Sequence, residues 1–591
     1  MLNAILHGVC LFRHTNIFIF RSTVFVYAAV AAILCAAFPS SAHSQGKHTV
    51  SNRAMRLYNE GMVAYDYIDF QKAEIIFKEA TQTDPRFYEA YMMLGELFFR
   101  QKRYAEAAEN YRTAVKIDSM FYKPVFFNLA VSEMLSGDYS RALVHFKVYT
   151  EQKGVSEKNR ITAAKNITDC EFALEAMAHP VSFNPVSVGA GINTADDEYW
   201  PSITADGHTM MFTKQATGTG NMHANPSQED FYISVNHNGV WGEAFNAGHP
   251  VNTPQNEGAQ ALSAGGDYMF FTACNRPGGV GNCDIYFSSN SDGVWTQPYN
   301  IGPPVNTPHW DSQPSLSADG RMLFFSSSRP GGFGGKDIWY SVLDTGFRWQ
   351  PPVNMGKNIN TAGDEMSPFI HFDGHTLYFS SDGLTGMGGF DIYMTKMESD
   401  SSWTAPQNLG YPVNTYNDET GLVIESSGKR AFFSSVRDRA SSKDIFCFDV
   451  DESIRPDPVS YLKGKVIDRE TGGMIKAEYE LINLTEKRIV MKSVTGGNGD
   501  FLVCLPSGFN YGINVSKNGY LFHSENFLLE GIHSVAEPYV KTILLTKIKT
   551  GEKIQLTNVF YTTDSWQIEE ESFNELNNLV SLLTENIDIA M

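Results

Sequence analysis

The sequence predicts a multidomain fold: an α-helical solenoid, a five-bladed β-propeller, a small β-sandwich and a short α+β segment. Three observations predict it. Residues 51–178 carry small and aromatic residues at a 34-residue spacing. Between residues 180 and 450 an Asn-Thr motif returns after 59 residues and then every 54. Residues 459–546 alternate short apolar strands with glycine turns. Fixed periods of this size mark stacked supersecondary units.

At the N-terminus, Arg13 and Arg21 precede the apolar run Val24 to Ala37, and small residues follow through Gln45. A positive flank, a short apolar core and a small-residue exit describe a secretory signal. Cleavage is expected after Ser44, with Ala42 as the alternative, so residues 1–44 are assigned to the signal. Cys35 resembles a lipoprotein cysteine only in part, because Leu34 stands where that signal carries a small residue. Lipidation there is the lesser alternative. No later stretch approaches the ~20 apolar residues of a membrane span.

In residues 51–178, Ala54, Leu57, Gly61, Ala73, Phe77 and Ala80 form the first repeat. Tyr88, Tyr91, Leu94, Gly95, Phe98, Ala107, Tyr111 and Ala114 form the second, and Phe126, Leu129, Ala130, Tyr139, Ala142, Phe146 and Tyr149 the third. The small residues let paired helices approach, and the aromatics fill the gaps between pairs. This is the spacing of a tetratricopeptide repeat. A helix from about Ser156 to Ala178 is expected to cap the stack. Such stacks bind peptides or partner proteins on a concave face, or simply pack on a neighbouring domain.

The central array repeats as Asn193-Thr194, Asn252-Thr253, Asn306-Thr307, Asn360-Thr361 and Asn414-Thr415. Each unit adds an acidic stretch, an Asp-Gly or similar turn, an apolar strand and a glycine loop. It ends in an Asp-aromatic strand: Asp230, Asp284, Asp337, Asp391 and Asp444 begin the copies. Four short β-rich strands per unit make a propeller blade, and five Asp-aromatic strands make five blades. The fifth lacks its last strand, while Val186 to Thr194 supply the missing piece ahead of the first. Closing the ring with that strand would leave no open edge.

Export permits disulfides. Cys274 and Cys283 flank a glycine loop where the other blades carry no cysteine, and they are expected to pair if their Cα atoms lie within about 7 Å. Residues 451–458, with Pro456-Asp457-Pro458, read as a linker. Residues 459–546 resemble the carboxypeptidase regulatory-like domain, a transthyretin-like sandwich that implies a spacer or binding module. Residues 552–591 resemble the start of an OmpA-like peptidoglycan-binding domain, with Leu556 to Tyr561 as its first strand and Ser572 to Leu583 as its first helix. The Asp and Arg by which that domain holds the wall peptide have no counterpart here. The segment is therefore expected to be a truncated domain with weak or no affinity for peptidoglycan.

In this order the modules resemble the OmpA-family envelope proteins of Bacteroidetes, most closely those of the type IX secretion system. The resemblance implies a non-enzymatic scaffold on the periplasmic side of the outer membrane, contacting envelope or secretion-system proteins. With 46 Lys and Arg against 66 Asp and Glu, the formal charge is −20, which disfavours nucleic acid as a partner.

The rival class is a propeller hydrolase acting on glycans or peptides. A glycosidase needs unique carboxylates, whereas the Asp residues recur in every blade and read as turn caps. No Gly-x-Ser-x-Gly elbow occurs. His249, His309 and His371 lack metal-ligand spacing, and neither metal nor cofactor is expected. Asp196-Asp197-Glu198 is a candidate calcium cluster or a solvated turn. Arg276 and Arg329, in the glycine loops, are candidate partner-binding residues, or parts of ordinary connections.

Overall fold

The computed structural model describes residues 48–585, apart from 50, 216–227, 399–401, 437–441, 486–487, 534–536, 563–564, 569–571 and scattered single positions. The expected signal segment and Cys35 lie outside the described residues. Among the described residues no helix is long and apolar enough to cross a membrane. The chain divides into two compact units, residues 1–174 and 175–591.

The first unit is a stack of antiparallel helix pairs: α1 (Asn52–Asp66) with α2 (Phe70–Thr83), α3 (Tyr88–Arg100) with α4 (Tyr104–Ile117), and α5 (Val125–Met134) with α6 (Tyr139–Glu151), followed by α7 (Glu157–Ala178). Ser51, Asp69 and Asp138 cap α1, α2 and α6 by accepting from the backbone N–H of Ala54, Lys72 and Arg141. The small residues act as the spacing implies. A Cβ on Gly61 would lie 2.7 Å from the Phe77 ring, and one on Gly95 would lie 2.6 Å from the Tyr111 ring. Phe77, Tyr88, Phe98, Tyr111, Phe146 and Tyr149 are fully buried. Between the second and third pairs, the buried Glu133 carboxylate takes Arg112 at 2.7 Å and His145 at 2.6 Å.

The second unit begins with five antiparallel sheets in chain order, the blades. Blade 3 shows the plan: Asp311–Leu316 innermost, then Met322–Ser327, Asp337–Val342 and the short outer Val353–Asn354. In blade 5 the outer strand is Val186–Ser187, paired antiparallel with Asp444–Asp449 through Val186 opposite Cys447. The chain's early segment therefore closes the ring.

Every inner strand bulges at the same place. The left-handed residues Trp200, Ala259, Gln313 and Ser367 have φ between 50° and 57°, and Gly421 takes the equivalent position with φ 72°. A register break accompanies each of the first four.

The linker is pinned rather than free. Ile454 is buried, its carbonyl accepts from Tyr378 Oη at 2.7 Å, and Asp457 N donates to Asp373 Oδ2 at 3.0 Å. Beyond it lies a sandwich of two four-stranded sheets. Val459–Asp468 is central in one, antiparallel to Asp500–Pro506 and parallel to Tyr539–Lys547. Glu478–Asn483 is central in the other, between Arg488–Val494 and Asn510–Ser516. Leu462, Leu481, Val503, Tyr511 and Ile543 fill the space between them. Val459, Tyr461 and Cys504 of the sandwich pack with Ala205, Ala264 and Phe372 of the propeller.

In the C-terminal segment the expected helix forms as α8 (Ser572–Glu585), while the described residues of the stretch from Leu556 to Tyr561 lie in no strand. The described residues there make a single bridge, Tyr561 to Ile568, while Glu575 of α8 accepts from Thr557 N at 2.8 Å.

Candidate functional site

The repeated motif is where site chemistry was sought, and each of its polar residues has an internal task. The Asn side chain reads the backbone of the Asp-aromatic strand like a missing strand neighbour. Asn306 Oδ1 accepts from Ile285 N at 2.9 Å and its Nδ2 donates to Ile285 O at 2.8 Å. Asn252, Asn360 and Asn414 do the same to Phe231, Ile338 and Ile392. Asn193 grips Ile445 across 252 residues of sequence, a second fastening of the closed ring.

The Thr that follows caps the acid at the start of the inner strand. Thr194, Thr253, Thr307, Thr361 and Thr415 each donate through N–H and Oγ1 to Glu198, Glu257, Asp311, Glu365 and Glu419. The Asp of the aromatic strand caps the glycine loop: Asp284 accepts from Val280 N at 2.7 Å, and Asp337 from Phe333 N at 2.6 Å.

Of the two readings open for Arg276 and Arg329, the geometry fits ordinary connections, with both side chains turned inward. The Arg276 side chain is 9% exposed and pairs with Glu257 at 2.7 Å; its guanidinium also donates to Val251 O at 3.0 Å. Arg329 is 8% exposed, pairs with Asp311 at 2.6 Å and donates to Ser327 Oγ at 2.9 Å. Each folds back onto the acid of its own blade, and aromatic rings cover it: Phe325 and Trp339 lie 4.8 and 5.3 Å from the Arg329 guanidinium.

The Asp196–Glu198 cluster is likewise filled from within. Lys214 Nζ lies 3.2 Å from Asp196 and 3.3 Å from Glu198, and Asp197 accepts from Lys443 N at 2.7 Å. An ammonium stands where calcium would need open carboxylates. Cys274 and Cys283 face each other on adjacent strands, Cα atoms 4.0 Å apart, and are joined as a disulfide.

His371 is buried and ties blade 4 to blade 5 through Nε2 to Glu425 O at 3.1 Å. Near it, Asp373, His375 and Asp457 form the single group among the described residues with metal-like spacing. Its lone pairs are already spent. Asp373 Oδ2 accepts from Thr376 Oγ1 at 2.7 Å and from Asp457 N at 3.0 Å. Asp457 takes His375 at 2.8 Å and Lys396 at 3.1 Å. Burial pushes both carboxyls up, but His371, His375 and Thr376 hold Asp373, and His375 and Lys396 hold Asp457, below the usual range. The group is a latch between blade 4 and the linker. Sequence spacing hid it because His375 and Asp457 are 82 residues apart.

A cavity of about 50 Å³, enough for a water or two, lies among the inner strands of the ring. Trp200, Gln260, Gln313, Ser367 and Phe369 are among the residues lining it, and none of the lining residues is a carboxylate. Gln260 bridges blades 1 and 2 by donating to Trp200 O at 2.6 Å, and Gln313 accepts from Ser367 N at 2.7 Å. These glutamines were missed; the recurrent Pro201, Pro314 and Pro368, out of place in an unbroken strand, were the available signal of the bulge.

No relative is found among curated proteins. Solved structures resemble parts of the chain at low identity. The N-terminal domain of stress-induced protein-1 from C. elegans is 19% identical over 19% of this chain and 93% of its own, with a TM-score of 0.18. The first tetratricopeptide domain of Spaghetti, solved with an HSP90 peptide, is 16% identical over 22% of this chain and 99% of its own, with a TM-score of 0.19. An α-L-arabinofuranosidase from Lactobacillus brevis is 13% identical over 46% of this chain and 99% of its own, with a TM-score of 0.32. The tetratricopeptide repeat family matches residues 58–119. With the helix pairs described above, that match makes this a tetratricopeptide-containing chain.

Proposed function

We propose that the protein is a non-enzymatic scaffold of the cell envelope, facing the periplasm and joining partner proteins through its helical repeats and propeller. The observation that carries this reading is the use of the propeller's recurrent acids. All five inner-strand carboxylates are capped by the same Thr, and the cavity beside them offers about 50 Å³ without a lining carboxylate. A glycosidase needs two free carboxylates flanking a sugar ring. The tetratricopeptide repeats support a protein-binding role, since such repeats generally mediate protein–protein contacts. The module order supports a finer reading, an OmpA-family component resembling PorE of type IX secretion.

Cell fractionation with cross-linking tests the proposal. The protein should appear in the outer-membrane fraction, accessible from the periplasm, and cross-link to envelope proteins in a manner lost on deleting residues 51–178. Cytoplasmic recovery, or turnover of arabinan, xylan or a proline peptide by the purified protein, would overturn it.

A further inference from the structure

A cavity of about 1000 Å³ lies where blades 2 and 3 face the outer surface of the sandwich. That volume lies at the upper end of ordinary small-ligand sites. Its two walls differ in chemistry. The propeller wall is aromatic: Tyr268 stacks on Phe287 with centroids 5.7 Å apart, Phe270 packs edge-on to Trp349 at 5.8 Å, and Tyr299 lies 5.2 Å from Phe287. Tyr299 and Phe347 leave 58% and 69% of their surface open.

The sandwich wall is polar. Glu480 stands opposite Lys492 on one neighbouring strand and Asn514 on the other, and Glu478 continues the row. Arg321 of blade 3 is close enough to attract Glu480 from across the gap.

Two acids in this cavity are under-used. Glu480 is 9% exposed; its Oε2 lies 3.4 Å from Lys492, but its buried Oε1 has no hydrogen-bond partner. A buried acceptor left without a donor costs free energy that a ligand hydroxyl would recover. Asp267 makes no ion pair among the described residues, and its surroundings push its carboxyl up.

The charge pattern selects the ligand. A cation would meet Arg321, Lys476 and Lys492, and an anion would meet Asp267, Asp319, Asp344, Glu478 and Glu480, of which Asp344 is already paired with Arg348 and Asp319 accepts from Ser317 Oγ and Arg321 N. A neutral polyhydroxyl compound satisfies both sets at once: its hydroxyls donate to the carboxylates and accept from Arg, Lys and Asn. One aromatic wall beside one polar wall matches the two faces of a sugar ring, whose C–H side packs on aromatic carbon while its hydroxyls point away. We propose that this cavity between blades 2 and 3 and the sandwich is a binding site for a neutral oligosaccharide.

Isothermal titration of the full mature chain with maltotetraose, xylotetraose, arabinotetraose and chitotetraose tests it. At least one should bind with sub-millimolar affinity. Glu478→Gln and Tyr299→Ala, both at exposed positions, should each weaken binding about tenfold while thermal unfolding stays unchanged. Absence of binding by all four sugars, binding unaffected in both variants, or binding of trilysine in place of the sugars would each overturn the proposal. The assay uses purified protein and depends on neither location nor protein partners, so its failure leaves the scaffold reading standing.

Discussion

At the scale of single residues, one buried amide per blade replaces a strand neighbour. Asn306 is 1% exposed and satisfies both backbone groups of Ile285. Asn306→Ala leaves a buried N–H and C=O unpaired, so it should cost about 2–4 kcal/mol, read as a lower urea midpoint at unchanged slope. Asn306→Asp should be no better, because a carboxylate places an acceptor against the Ile285 carbonyl. Arg329→Ala should cost about 3–5 kcal/mol, since it strands the buried Asp311. Arg329→Lys should recover only part of that, because an ammonium lacks the planar fork that reaches Ser327 Oγ through Nε while Nη2 reaches Asp311 and Val305 O. Both measurements separate a structural arginine from a partner-binding one, which would leave stability unchanged. The sequence showed that these residues recur, but not what they touch. The two readings of Arg276 and Arg329 could not be separated in the sequence because a glycine loop looks exposed in one dimension, whereas the chain folds it back on an acid 18 or 19 residues earlier.

At the scale of elements, close approach decides both repeat types. Gly95→Ala should cost about 1–3 kcal/mol by pressing a methyl into the Tyr111 ring, despite alanine's better helix propensity; circular dichroism at 222 nm during urea unfolding reads it. A gain in stability would mean that α3 and α4 are free to separate. The glycine loops obey the same logic. A Cβ on Gly332 would enter the Asp337 carboxylate, and one on Gly334 would enter the backbone at Thr361 and Gly363 of the following blade. These helices, strands and loops were legible because packing imposes a period on the residue types that fit. The C-terminal run from Leu556 to Tyr561 was less legible, because a short apolar run becomes a strand only where a sheet edge receives it, and among the described residues none does. The cavity was illegible for a related reason: its walls come from residues near 268, 321, 349 and 480, and no spacing links them.

At the scale of the whole molecule, the ring carries five Thr-capped acids, four of them buried and Glu419 half-buried, and supplies them unequally with cations. Glu257 has Arg276 and Asp311 has Arg329. Glu365 is fully buried and receives only neutral donors, Thr361 and Ser381. Burial outweighs those hydrogen bonds and pushes its ionisation up to about 7, and that of Glu419 up to about 8, against an ordinary 4.5. The folded protein therefore holds these protons at pH values where the unfolded chain has released them. The resulting stabilisation is full below about pH 4.5 and is lost as the pH rises through 7 to 8, with a slope of about 1.4 kcal/mol per pH unit for a fully buried group. The depressed carboxyls, among them Asp373, Asp457, Asp468, Glu74, Glu106 and Glu525, act in the opposite sense but only below the ordinary values of 3.8 for Asp and 4.5 for Glu, outside this window. His375, raised by its Asp neighbours, adds to the loss above its ordinary 6.5. The expected outcome is a melting temperature that falls from pH 5 to pH 8. In Glu365→Gln, which cannot ionise, the part of that fall below pH 7 should flatten. An identical pH profile in the variant would show that Glu365 ionises normally and that water reaches the inner strands of the ring.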